Sequence, residues 1–435
     1  MSTKYVDDLM DFLCESPCNV FAVKSVIKRL EAHGFKQLDQ REQWSLKPGD
    51  KRYVIKNDSA VFAFVVGRRA EKGWKIVSSH SDSPGFRVKP HAEMVVDGSI
   101  LKLNTEVYGG PILYTWFDRP LSIAGRVYST ESDDIFNPTV YYVDFKRPLL
   151  TIPHLAIHFN REVNEGNRIS RQKDMLPVLA MLNDKLEADN YLMNMLSSYI
   201  GLPAERIADY DLTLYDTTGP CLVGANSEFI TGGRLDDLMM VHASVCALVE
   251  QCDEVDDATR VIAVFDNEET GSGTKQGAAS PVLHNILMRI NMSLGGDMET
   301  FVRAIDNSFM ISADNAHALH PNFPEKQDPT NHPLPGCGPV IKINANCKYM
   351  TDAQSAVIFE TICREAGVPV QRFVNHSDIA GGSTLGNILT SQIDLRGVDM
   401  GAAQWAMHSC RETAGTADVD YCIRVFAQFF KPVVR

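Results

Sequence analysis

The strongest constraint on the fold is an alternation of apolar strands and helical patterns that runs from about residue 232 to the end of the chain. A helical pattern at 236–251 precedes the first of these strands, and further strands and helices follow in turn. Such alternation favours a mostly parallel sheet with helices on both faces, because parallel connections must cross a face of the sheet. The predicted strands are Arg260–Phe265, Phe309–Ser312, Val340–Ile343, Val370–Val374 and Gly397–Met400.

The segment between about residues 90 and 230 has a different pattern, with short alternating stretches that turn residues interrupt. Ile100–Leu103, Ser122–Val127 and Thr139–Val143 favour an antiparallel β module. We assign the strands before this segment to the same sheet as the C-terminal strands, so that the β module is an insertion. The predicted fold is therefore α/β, with a mixed, mostly parallel sheet built from residues 1–90 and 231–435, and an inserted β-rich domain at 91–230.

Charge and cysteine usage exclude several classes of protein. Lys and Arg number 42 against 55 Asp and Glu, and the resulting net charge of −13 argues against binding of nucleic acid or of an anionic membrane surface. No apolar run approaches the roughly 18 residues of a membrane-spanning helix. The N-terminal residues lack the cationic head and apolar stretch of a secretory signal. Ten cysteines without a Cys-x-x-Cys pair are typical of a reducing compartment, so we expect a cytoplasmic protein.

Side chains that can bind a metal lie just past the ends of several predicted strands. Others lie at the start of the helix predicted at 236–251. In an open α/β sheet, groups beyond the carboxyl ends of the strands converge on one crevice. Taken singly, each has an ordinary alternative: Asp236 could be a helix N-cap, and Glu268 with Glu269 could be a solvated acidic turn. We nevertheless predict a shared site. Its candidates are His80, Asp82, Asp236, Glu268, Glu269, Asp314 and His408.

The residue types narrow the chemistry of such a site. Two imidazoles and three carboxylates without a thiolate suit zinc or manganese in a hydrolytic site. Five ligands are too many for one catalytic zinc, which keeps an open position, but they suit two ions bridged by a carboxylate. An additional Glu is then available as a general base, and Asp82 can orient the His80 ring.

Several motifs, taken together and in order, resemble those of the aspartyl aminopeptidase family of dinuclear zinc exopeptidases. The resemblance covers nearly the whole chain, and it extends into the β module at Tyr108–Pro111 and Ile152–His158. The motifs are His80–Phe86, Gly233–Asp237, Phe265–Ser272, Ser312–His317, Gly338–Lys342 and Ala406–Ser409.

The resemblance implies a role for each candidate. It implies a zinc exopeptidase-like catalytic domain from 1–90 and 231–435, with two zinc ions per subunit. Mn²⁺ or Co²⁺ would be accepted by the same ligand types. In this scheme His80 and Asp314 hold one zinc, Glu269 and His408 hold the other, Asp236 bridges them, Glu268 is the general base and Asp82 is the partner of His80.

The resemblance also implies a substrate and an assembly. Family members remove N-terminal acidic residues, Asp and Glu, from peptides by means of a water held by two zinc ions. Lys342 and Tyr349 match the pocket for the substrate carboxylate, and His320 matches a donor to the oxyanion. His158 matches a histidine that reaches a neighbouring subunit's site. The β-rich segment 91–230 would be the dimerisation domain of a homododecamer.

One departure from the family pattern and two alternative functions remain. Asp237 stands where the family usually has Asn, which adds a negative charge near the metals.

The same dinuclear site could serve an aminopeptidase or an amide deacylase of other specificity. A metal-binding assembly protein without catalysis is the alternative from another class, although an idle site has no reason to keep Glu268 beside Glu269.

Overall fold

The computed structural model describes residues 3–182 and 190–432, and the chain forms two compact units. The first unit comprises Met1–Asp82, Pro220–Met407 and Glu412–Arg435. The second unit comprises Ser83–Gly219 and His408–Arg411. The functional division into segments 1–90, 91–230 and 231–435 stays a prediction.

Helices and strands alternate through most of the described chain. The α-helices there are α1 (Thr3–Glu15), α2 (Asn19–Glu31), α3 (Tyr191–Ile200), α4 (Leu235–Glu250), α5 (Val282–Ser293), α6 (Met298–Asp306), α7 (Ala353–Ala366), α8 (Leu385–Leu389) and α9 (Thr416–Phe430). The strands there are β1 (Lys36–Gln37), β2 (Lys51–Lys56), β3 (Ala60–Val65), β4 (Trp74–His80), β5 (Gly85–Val96), β6 (Ile100–Tyr108), β7 (Leu121–Ser129), β8 (Thr139–Asp144), β9 (Val178–Met181), β10 (Ile207–Asp216), β11 (Cys221–Val223), β12 (Phe229–Gly232), β13 (Thr259–Phe265), β14 (Phe309–Ala313), β15 (Ala316–His317), β16 (Val340–Lys342), β17 (Gln371–Phe373), β18 (Gly397–Gly401), β19 (Ala403–Trp405) and β20 (Glu412–Gly415).

The main sheet of the first unit is mixed, with a parallel centre. Among the described residues its strand order is β1-β2-β3-β13-β4-β14-β18-β16-β17. The pairs β13/β4, β4/β14 and β14/β18 are parallel, whereas β3 and β16 join antiparallel neighbours. A smaller sheet of the same unit has the order β11-β12-β20-β19-β15. The predicted α/β fold class is confirmed.

Helices cover both faces of the main sheet, as the side-chain alternation of β13 shows. This strand is rich in β-branched residues and buried along its whole length. Val261, Ala263 and Phe265 pack in a core with residues of α5, α6 and α8. Ile262 and Val264 point to the other face and pack with residues of α1, α2, α4 and α9.

The second unit is an antiparallel β structure, as the alternating segments indicate. Its sheet has the order β8-β7-β10-β5-β6-β9, and its core includes Trp116 and residues of α3. Within residues 3–182 and 190–432, no helix combines the length and the apolar character needed to cross a membrane.

Candidate metal centre

Three neighbouring parallel strands bring the predicted residues to one edge of the main sheet. His80 is the last residue of β4 and lies in register with Phe265, the last residue of β13. Asp314 follows β14 on the other side of β4. Because the three strands run in the same direction, the segments that follow them leave the sheet at the same edge.

The start of α4 adds two carboxylates to the side chains at this edge. One ligand atom from each of His80, Asp236, Asp237 and Asp314 lies within 4.8 Å of the others, and all four residues are buried. The Nε2 atom of His80 is 3.6 Å from Oδ1 of Asp236. Asp236 and Asp237 have non-helical backbone angles, so α4 becomes regular only after them. The side chains that cluster here therefore come from β4, α4 and the end of β14.

Asp82 connects His80 to the acidic turn that follows β13. Its Oδ1 and Oδ2 atoms accept hydrogen bonds from the backbone N–H groups of Glu268 and Glu269, at 3.1 and 3.2 Å. Its Oδ1 also lies 3.3 Å from Nδ1 of His80. His80, Glu268 and Glu269 likewise offer ligand atoms within 4.8 Å of one another. Asp82 thus fixes both the ring and the turn.

Sequence patterns did not reveal the residues that support this turn. Asn267 adopts a left-handed backbone with φ of 64°, and its side-chain oxygen accepts hydrogen bonds from Thr274 and Gln276 at 2.9 and 2.8 Å. Asp266 accepts a hydrogen bond from the side chain of Asn19 at 3.0 Å. Glu412 accepts one from the backbone N–H of Asp236 at 2.9 Å. The contacts of Asn19 and Glu412 join distant segments, so no local spacing signals them.

Burial and crowding make this cluster electrostatically unfavourable without a cation. Burial raises the pKa of Glu268 to about 8, and Asp314 and Asp236 add to the rise while His80 opposes it. Burial likewise raises the pKa of Glu269 and of Asp237 well above the ordinary value. Buried carboxylates that repel one another need a counter-cation to stay ionised.

Comparison with known proteins assigns the family. The family model described as Aminopeptidase I zinc metalloprotease (M18) matches residues 12–430. The chain belongs to peptidase family M18. The similarity to aspartyl aminopeptidases expected from the motifs is thereby confirmed at the level of the family, as are the predicted aminopeptidase class and the zinc cofactor.

M18 relatives resemble the chain over its full length. The probable M18 family aminopeptidase 2 of Clostridium acetobutylicum is 50% identical over 430 residues, which is 98% of each chain. The solved structure of the Ape4 and Nbr1 complex contains a chain that is 34% identical, with a TM-score of 0.94, and the match covers 98% of this chain and 85% of that one. The mApe1 dodecamer of S. cerevisiae is 27% identical, with a TM-score of 0.85 and coverage of 98% and 95%.

The side chains of this M18 protein fit zinc. An imidazole and several carboxylates are the donors that catalytic zinc takes from proteins. They converge within 4.8 Å of one another in a buried place. Asp237 Oδ1 is buried there and has no hydrogen-bond partner among the described residues. A divalent cation would therefore offset the crowded negative charge at this edge of the sheet.

Lys342, which the motifs predict as a substrate-binding residue, is a buried cation that contacts this cluster. It ends β16, its side chain is 5% exposed, and its Nζ lies 3.1 Å from Oδ2 of Asp314. Burial lowers the pKa of Lys342, but Asp314 more than compensates, and the lysine is charged. Tyr349 is buried beside it, with its ring centre 5.8 Å from Nζ. An ordinary strand lysine would face solvent, so its burial is a specific feature.

The sequence predicted roles for three further histidines. His320 is half-buried after β15, and its Nδ1 accepts a hydrogen bond from the N–H of Asn322 at 3.2 Å. His158 is exposed in the second unit. His408 belongs to the second unit as well, and its Nδ1 lies 3.1 Å from the carbonyl oxygen of Gly110. The roles predicted for these residues stay predictions.

Proposed function

We propose that this M18 aminopeptidase removes N-terminal Asp and Glu residues from peptides and uses two zinc ions per subunit. The observation that carries the proposal is the buried cluster at the edge of the main sheet, where Glu268 lies beside ligand atoms and Lys342 supplies a buried positive charge. An acidic substrate side chain needs such a charged partner when it is desolvated.

The proposed ligands follow the scheme predicted from the motifs. His80 and Asp314 would hold one zinc, Glu269 and His408 the other, and Asp236 would bridge the two. When bound, zinc polarises the scissile carbonyl and lowers the pKa of a water. Asp237 would add negative charge beside these ligands, which favours a divalent cation.

Glu268 would move the proton in the reaction. Its carboxylate would take a proton from the attacking water and pass it to the leaving amine, and burial beside other acids suits a base that must also act as an acid. Asp82 would position this base, because it holds the N–H groups of Glu268 and Glu269. His320 would donate to the oxyanion.

Lys342 would select the acidic substrate, with Tyr349 beside it. In the zinc-bound enzyme, the metal would neutralise part of the negative charge of Asp314. Lys342 would then attract a substrate carboxylate more strongly. This assignment separates the proposed specificity from the two alternatives with the same metal chemistry, a general aminopeptidase and an amide deacylase.

Self-association through the second unit is part of the proposal. Several large apolar side chains of this unit are exposed, among them Phe136 and Phe159 at 86% and 80%. Exposed apolar groups of this size are typical of interaction surfaces. The similar mApe1 of S. cerevisiae is a dodecamer, and we propose a homododecamer in which His158 reaches a neighbouring subunit.

The proposed base is tested by Glu268→Gln. We expect zinc content to stay at two ions per subunit while kcat falls about 100- to 10,000-fold, because the amide cannot take the proton. Glu299→Gln, at an exposed position of α6, is the control and should keep full activity. A Glu268→Gln enzyme with normal turnover would refute the assignment.

The proposed specificity is tested by Lys342→Met, which keeps the length of the side chain and removes its charge. We expect KM for peptides with N-terminal Asp or Glu to rise about 10- to 100-fold, and KM for N-terminal Ala to change little. Zinc content is measured in parallel, since Lys342 contacts Asp314. The exposed Lys348→Met is the control.

An equal loss for Asp and Ala substrates would contradict the proposed pocket. Preferential cleavage of N-acetylated peptides by the wild-type protein would favour the amide deacylase. Zinc binding without any hydrolysis would favour the assembly protein.

A further inference from the structure

A separate group of metal-capable side chains lies where α1 packs against α4. His242 and Cys246 are one turn apart on α4, and Asp8 faces them from α1. His242 Nε2 is 2.7 Å from Asp8 Oδ2, and Cys246 Sγ is 3.5 Å from Nε2 and 3.9 Å from Oδ2. The three ligand atoms therefore already form a compact triangle.

The triangle has nearly the size that tetrahedral zinc requires. With Zn–S of about 2.3 Å and Zn–N or Zn–O of about 2.0 Å, neighbouring ligand atoms are about 3.3–3.6 Å apart. The three distances in this group bracket that range, so a shift of a few tenths of an ångström in each side chain would suffice. The residues that give this spacing come from two helices, α1 and α4.

Two of the three groups, Asp8 and His242, already have the net charge that a metal ligand of their type carries. The hydrogen bond from His242 lowers the pKa of Asp8 to about 2, which keeps the carboxylate charged. Burial lowers the pKa of His242, although Asp8 opposes this, and the imidazole is neutral. Burial raises the pKa of the Cys246 thiol to about 12. When a metal binds, the thiol must therefore lose its proton, and the proton that His242 Nε2 donates to Asp8 must move to Nδ1.

The side chains around Asp8 orient its carboxylate and leave the proposed site accessible to solvent. Arg29 Nη2 lies 3.3 Å from Oδ1 of Asp8, so Oδ2 is the oxygen that faces the histidine and the thiol. Asp8 is 43% exposed on its side chain, and Cys246 is half-buried, which gives a metal a path from solvent. Glu250, one turn beyond Cys246, adds negative charge and receives a hydrogen bond from Tyr5.

We propose that Asp8, His242 and Cys246 form a third metal site, for zinc, that ties α1 to α4. Zinc takes thiolate, imidazole and carboxylate together, whereas magnesium and calcium prefer oxygen ligands alone. Binding releases the thiol proton of Cys246 to solvent, and water completes the fourth position. The site stands apart from the cluster at the edge of the sheet, which contains no thiol.

A cobalt titration can detect metal binding at Cys246 specifically, because the proposed catalytic cluster contains no thiol. Co²⁺ is titrated into the reduced enzyme that holds two Zn²⁺ per subunit, and the sulfur-to-cobalt charge-transfer band in the near ultraviolet is recorded. We expect the band to saturate at one Co²⁺ per subunit, with Zn²⁺ displacing it. Cobalt that exchanges into the catalytic cluster does not produce this band.

Matched variants assign the band to its residues. Cys246→Ser should abolish it, and Asp8→Asn should weaken Co²⁺ binding at least tenfold. Cys14→Ser and Asp11→Asn, at exposed positions of α1, should leave it unchanged. Circular dichroism of each variant verifies that it folds. Failure to see the band in the folded wild type, or its persistence in Cys246→Ser, would overturn the proposal.

Discussion

At the residue scale, Asp82 shows how one carboxylate can organise several partners. It accepts hydrogen bonds from two consecutive backbone N–H groups and lies beside the His80 ring. The sequence indicated only its link to His80, since the two are neighbours in one motif. The contact with the turn at Glu268 joins residues that are distant along the chain, so it could not be read from the sequence.

Asp237 offers a test of how charge is balanced at the metal centre. Its Oδ2 accepts the His80 N–H at 3.1 Å, and its buried Oδ1 has no hydrogen-bond partner among the residues that the structure describes. For Asp237→Asn we expect the zinc-free protein to gain stability at neutral pH, on the order of 1 kcal/mol, because burial raises the pKa of this carboxyl group and so costs free energy of folding above the ordinary pKa.

The same substitution should weaken zinc binding, because one negative charge beside the ligands is lost. Chelator competition measures the affinity, and thermal unfolding of the zinc-free protein measures the stability. The exposed Asp394, changed to Asn, should alter neither. If Asp237→Asn destabilised the zinc-free protein, Asp237 would be a structural residue whose charge costs little.

At the element scale, local periodicity predicted the strands well and the shorter helices less well. The run Arg260–Phe265 became β13 with one further residue at its start. The apolar pattern of the sequence predicts a helix at 383–392, but α8 spans only Leu385–Leu389. A Cβ at Gly386 would stand 2.5 Å from Oδ2 of Asp399, a tertiary contact that periodicity does not contain.

The first turn of α9 carries a pH-dependent contribution to stability. Asp418 accepts hydrogen bonds from the N–H groups of Gly336 and Gly338 at 2.6 and 2.8 Å. Burial raises the pKa of Asp418 to about 6 from an ordinary 3.8, although the two N–H groups oppose the rise. The folded protein therefore holds this proton more tightly than the unfolded chain, and the stabilisation is lost as the pH rises through about 6.

Asp418→Asn removes this titration. We expect the stability of the wild type relative to this variant to fall between about pH 4 and pH 6, by on the order of 2–3 kcal/mol. Urea unfolding at a series of pH values measures the difference. Asp420→Asn on the same helix should show no such slope, and a flat difference for Asp418→Asn would contradict the expectation.

At the scale of the whole molecule, the sequence indicated the α/β core and the β-rich segment but not how its charges pair. Lys342 is an example, because it looks like a solvent-facing strand lysine until its ion pair with Asp314 is seen. Pairings of this kind depend on which strands become neighbours, here β14, β18 and β16. The alternation of strands and helices does not fix that order.

The proposed assembly is tested on the exposed apolar side chains of the second unit. For the double variant Phe136→Asp and Phe159→Asp we expect a lower mass in sedimentation, because two charges would have to be buried at a contact between subunits. Met298→Asp, at a 60% exposed position of the first unit, is the control. An unchanged mass would exclude this surface from the assembly.

The place of β4 in the main sheet affects how the protein is made. Its two neighbours, β13 and β14, come much later in the chain, after the whole β-rich segment. During synthesis, Ile76 and Val77 of β4 therefore emerge from the ribosome before the strands that will flank them. We expect chaperones to bind the chain at this stage. The proposed catalytic groups meet only when synthesis is far advanced, so we expect an unfinished chain to have no peptidase activity.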